Sequence, residues 1–65
     1  MVLDYAVAIK QLRTKMLLSQ EEFAELLGVS FGSVNRWEKG HHEPTIKVKR
    51  KLKELFIEYK IVEEE

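Results

Sequence analysis

Sixty-five residues with eleven basic and eleven acidic side chains and no cysteine exclude a two-domain protein, a disulfide scaffold and a thiolate metal site. The 45 % apolar content must build the core alone, and a domain of this size is expected to be stable by only about 3 to 5 kcal/mol. The net charge of zero hides a segregation: residues 36–53 carry seven Lys/Arg against two Glu, and residues 54–65 carry five Glu against one Lys, so a polyanion would meet a local basic surface.

In chain order, Asp4 is placed to cap a first helix over about residues 5 to 15, in which Tyr5, Ile9, Leu12 and Met16 recur on one face. Ser19-Gln-Glu-Glu22 forms a capping box that starts a second helix at Gln20. This helix is about eight residues long, buries Phe23, Ala24 and Leu27, and ends at Gly28, the residue best suited to a positive φ. Ser30 caps a third helix from Phe31 to about Lys39, ended by Gly40, with Val34 and Trp37 facing the core. After the loop Gly40-His-His-Glu-Pro44, Thr45 caps a fourth helix whose inner face is Val48, Leu52, Leu55, Phe56 and Tyr59. Ile46, Ile57 and Ile61 fall opposite that face, an apolar stripe that calls for a partner. No segment reads as a strand, so the fold is all-α. Helices as short as the second and third hold only by packing on the other two.

No run approaches the roughly 20 apolar residues of a membrane span, and Asp4 stands where a signal peptide is basic. A soluble, cytoplasmic protein with no membrane partner is expected, with Glu63, Glu64 and Glu65 as a solvated tail. Catalysis needs an acid, a base and a concave site, but the chain offers one Asp, at a helix cap, and the adjacent His41 and His42 in a loop. We expect no enzyme, no catalytic residue, no metal and no cofactor. The two histidines suit a backbone or phosphate contact better than a metal.

Two short capped helices joined by Leu27-Gly28-Val29-Ser30 make a helix-turn-helix, in which the second helix protrudes far enough to enter a DNA major groove. The run Leu18-Ser-Gln-Glu-Glu-Phe-Ala-Glu-Leu-Leu-Gly-Val-Ser30, followed by Val34, Trp37-Glu38, Gly40 and Pro44-Thr45, resembles the phage-repressor and Cro-like (XRE-type) family of transcriptional regulators. The likeness extends from Leu12 to Thr45. It implies a small four- to five-helix bundle of the lambda-repressor-like DNA-binding type, comprising residues 1–65 as one domain. It also implies sequence-specific binding of double-stranded operator half-sites in transcriptional control, repressor-like, as a homodimer at least on DNA. Two residue roles come with it: Gln20 on a DNA phosphate, and an internal salt bridge between Arg13 and Glu38. An alternative is a protein-interaction module, such as an antitoxin or the accessory N-terminal domain of a larger enzyme.

The residues themselves support a groove-facing set. Gln20 opens a helix whose unsatisfied N–H groups and dipole favour a phosphate, or it is simply solvated. On a helical wheel Gly32, Ser33, Asn35 and Arg36 lie away from Val34 and Trp37. Arg36 suits a bidentate pair with guanine O6 and N7, or grips a phosphate. Asn35 reads adenine or touches phosphate, and Ser33 fits a backbone contact. Phe31 and Gly32 depart from the family's usual residues; Phe31 either meets a thymine methyl or folds onto the core. Lys39, just beyond the helix, is a phosphate contact, joined by one or two residues of the basic run Lys47 to Lys53. Trp37 is core. Glu38 borders Val34, where a carboxylate without a partner would be costly.

Overall fold

A computed structural model describes residues 4–61. Four helices follow one another: α1 Tyr5–Met16, α2 Gln20–Leu27, α3 Phe31–Glu38 and α4 Ile46–Glu58. No strand occurs among the described residues. The tail Glu63 to Glu65 lies outside them.

Each helix starts at the capping residue expected. Asp4 Oδ1 accepts from the backbone N–H of Ala6 and Val7 at 3.1 and 3.4 Å. Ser19 Oγ accepts from Glu22 N at 3.1 Å while Glu22 Oε1 accepts from Ser19 N at 2.9 Å, closing the capping box. Ser30 and Thr45 hydroxyls accept from the N–H groups of Ser33 and Val48.

The C-terminal ends share one device. After α1, α2, α3 and α4 the residues Leu17, Gly28, Gly40 and Lys60 take positive φ, at 60°, 73°, 79° and 60°. In each case the next residue's N–H reaches back to a carbonyl five residues earlier, as in Leu18 to Arg13, Val29 to Ala24, His41 to Arg36 and Ile61 to Phe56. This is the Schellman arrangement, which satisfies the orphan carbonyls and folds the chain back on the helix. It corrects the expectation for Ile61. That side chain does not continue the outer stripe of α4; turned back by Lys60, it is 7 % exposed and packs in the core. Ile46 and Ile57 do stay outside, at 68 % and 64 % exposure.

Ile9, Leu12, Phe23, Val34 and Leu52 are the fully buried centre, ringed by Ala8, Ala24, Leu27, Trp37, Val48 and Phe56. Every residue assigned to the inner faces of α2 and α3 is buried, and Trp37 belongs to the core at 6 % exposure. Helix α3 packs on both α2 and α1, and α4 on α1. The inner face of α3 is thereby fixed against α1 and α2.

Candidate nucleic-acid interface

Helix α3 is eight residues long, and burying Val34 and Trp37 turns the remaining side chains outward or along its flanks. Phe31, at the first turn, is 48 % exposed, so of its two sequence readings the fold back onto the core is not realised. Gly32, Ser33 and Asn35 are half-buried, and Arg36 and Lys39 are exposed. Helical side chains lean toward the N-terminus, and Arg36 does so over Gly32: a Cβ built on Gly32 would sit 3.5 Å from Arg36 Nη1. Gly32 thus leaves room for the guanidinium, which a side chain larger than alanine would crowd. Arg36 also shares an open crevice of about 400 Å³ with Ser33, Trp37 and His42. No spacing or motif signal places His42 beside the α3 candidates.

A second group of side chains ties α3 to the rest of the fold. Arg13 Nε donates to Glu38 Oε2 at 2.7 Å and its Nη2 donates to Oε1 at 3.1 Å, the expected internal salt bridge in bidentate form. Arg13 Nη1 also donates to the Leu18 carbonyl at 3.1 Å, so one guanidinium joins α1, the α1–α2 turn and α3. The hydrogen bond to Glu38 is the main cause that raises the Arg13 pKa above its ordinary value, helped by the carboxylate's charge and opposed by burial.

The same carboxylate accepts from Gln20 Nε2 at 3.0 Å, and Gln20 Oε1 accepts from Asn35 Nδ2 at 3.3 Å. Gln20 is therefore neither free nor simply solvated. It bridges the start of α2 to both ends of an α3 segment, and two candidate residues from different helices meet in one polar chain. The need of Glu38 for a partner was visible in its position. That it holds two donors, and that the second is Gln20, depends on how α2 crosses α3. Gln20 keeps one amide N–H, next to the N–H groups that any helix start leaves unsatisfied.

The basic run on α4 is not uniform. Lys49 Nζ donates to Glu43 at 2.9 Å and lies 4.8 Å from the centre of the Tyr5 ring, which ties the loop before α4 to α1. The bond to Glu43 raises the Lys49 pKa. Lys47, Arg50, Lys51 and Lys53 are exposed. Among the described residues no helix is long and apolar enough to cross a membrane.

With this geometry in view, the chain was compared with known proteins. No solved structure matches it. It is 46 % identical over 50 residues to a Pyrococcus furiosus protein named "Putative HTH-type transcriptional regulatory protein", covering 77 % of this chain and 16 % of that one. The chain thus spans about a sixth of that relative's length. A family model described as helix-turn-helix matches residues 9–56, from the middle of α1 through most of α4. That span contains the two capped helices, the Gly28 turn and the Arg13–Glu38 clamp, and the chain belongs to the helix-turn-helix family.

Proposed function

We propose that this chain is a sequence-specific double-stranded DNA-binding domain of a cytoplasmic transcriptional regulator, with α3 as the helix that enters the major groove. The observation that carries the reading is the placement of α3. Its inner face is fixed by Val34 and Trp37, while Phe31 and Arg36 stand exposed and Gly32, Ser33 and Asn35 lie half-buried along its flanks, Asn35 against Gln20 of α2. A helix held in this way can meet base edges in a groove about 12 Å wide. Family membership and the name of the Pyrococcus relative support the same reading.

In this reading Arg36 contacts a guanine edge, and Gln20 and Lys39 contact phosphates on either side of it. Phe31 offers an apolar contact for a thymine methyl. Two copies related by a two-fold axis would bind half-sites about 34 Å apart. The exposed Ile46 and Ile57 on α4 are the surface we assign to self-association.

The test is fluorescence anisotropy of the protein on duplexes selected from a randomised pool, from low to physiological salt. Neutralising about four to six phosphates per dimer gives a log–log slope of about −4 to −5. A flat salt response, or tight capture of a protein partner with no duplex affinity, would favour an interaction module instead.

A further inference from the structure

The polar chain that runs from Arg13 through Glu38 and Gln20 to Asn35 has a direction. A carboxylate only accepts hydrogen bonds, whereas each carboxamide has one accepting and one donating end. Glu38 Oε1, already held by Arg13, therefore takes the amino end of Gln20 at 3.0 Å. Gln20 must then turn its oxygen to Asn35, and Asn35 must answer with its amino group at 3.3 Å. Reversing the Gln20 amide would set its oxygen against a carboxylate oxygen and its nitrogen against the Asn35 nitrogen, two repulsive contacts in a half-buried site.

We infer that the ion pair between α1 and α3 fixes the Asn35 carboxamide through Gln20 and thereby makes Asn35 a reader of adenine. Pinned from behind by one N–H, Asn35 offers a ligand its Oδ1 and one remaining N–H. Adenine presents a matching donor and acceptor, N6–H and N7, in the major groove. Guanine presents two acceptors there and cytosine a donor alone. Gln20 is then a positioning residue for base choice as well as a phosphate contact. This inference rests on the duplex-binding reading above.

The experiment is selection from a pool of duplexes with a randomised core, run with wild type, Asn35→Asp, Gln20→Ala and Gln20→Met, each first shown to be folded by circular dichroism and thermal melting. Wild type should enrich one adenine per half-site that depends on residue 35, and Asn35→Asp, which has no N–H for either Gln20 Oε1 or adenine N7, should abolish that preference. Gln20→Ala and Gln20→Met leave Asn35 in place but unpinned, and discrimination at that position should fall by about tenfold while the other positions keep theirs. If both Gln20 variants lower affinity for every sequence equally and keep the adenine preference, Gln20 acts on phosphate alone and the inference fails. A wild type that retains no duplex at low salt overturns the duplex-binding reading itself, and this one with it.

Discussion

Glu38 shows how one side chain can hold three helices. Its side chain is 7 % exposed, and its carboxylate binds the Arg13 guanidinium and the Gln20 amide. Removing one partner leaves a poorly hydrated charge, whereas removing both leaves an apolar gap that neighbours can fill. Arg13→Met alone should cost about 3 kcal/mol, most of what a domain this small has, and Arg13→Met with Glu38→Leu should recover much of it. Chemical denaturation of both singles and the double completes the cycle. Because the Arg13 pKa is raised, the contribution from its charge is present below the ordinary arginine range and lost only as pH rises through the still higher folded value. No loss from Arg13 is therefore expected across neutral pH, which a series of melts would check. On the outer face, Arg36→Ala should cost about 1 to 3 kcal/mol and relax preference at one base pair per half-site. Lys39→Ala should weaken all sequences alike and make the salt slope shallower. Binding to a panel of single-base operator changes separates the two; a uniform loss with Arg36→Ala would make Arg36 a phosphate contact. That Glu38 needs a partner was legible from its place beside Val34, whereas Arg13 as that partner followed from the resemblance to the repressor family. The Gln20–Asn35 contact was not legible, since side-chain meetings between two helices depend on a crossing angle that spacing does not encode.

The helices themselves follow from local rules. Asp4, Ser19, Ser30 and Thr45 each cap where their side chains predicted, and Gly28 and Gly40 mark two of the four reversals. The other two reversals fall on Leu17 and Lys60, which adopt the left-handed conformation without the residue that signals it. That silence explains the misplaced Ile61: without a stop at Lys60, the wheel carries it outward. It also yields a prediction. Leu17 is 88 % exposed, so Leu17→Gly loses little packing and relieves backbone strain. After the entropy that glycine adds to the unfolded chain, it should stabilise by about 0.5 to 1 kcal/mol, read as a rise in Tm of about 4 °C. Lys60→Gly should act in the same direction, and a fall in Tm for both would refute the strain argument. Gly32→Ala makes only an ordinary contact with Arg36 and should stabilise α3 by a few tenths to about 1 kcal/mol. Bulkier residues there should displace the guanidinium and lower duplex affinity.

At the scale of the molecule, α4 is both the back wall of the core and a free surface. Its first half is basic and its second half holds Glu54 and Glu58, and two copies packed antiparallel would set Ile46 of each against Ile57 of the other. Ile57→Asp should weaken self-association and operator binding while leaving helicity unchanged, as light scattering and circular dichroism would show. A wild type that stays monomeric at high concentration and binds a lone half-site would remove the need for this surface. In the function proposed above, α3 sits in the major groove at two half-sites. Dimethyl sulfate interference tests it directly, because the reagent marks guanine N7 in the major groove and adenine N3 in the minor groove of the same operator. The bound fraction should lose duplexes methylated at guanine N7 in two clusters about 34 Å apart. Interference confined to adenine N3, or none at either base, would contradict it.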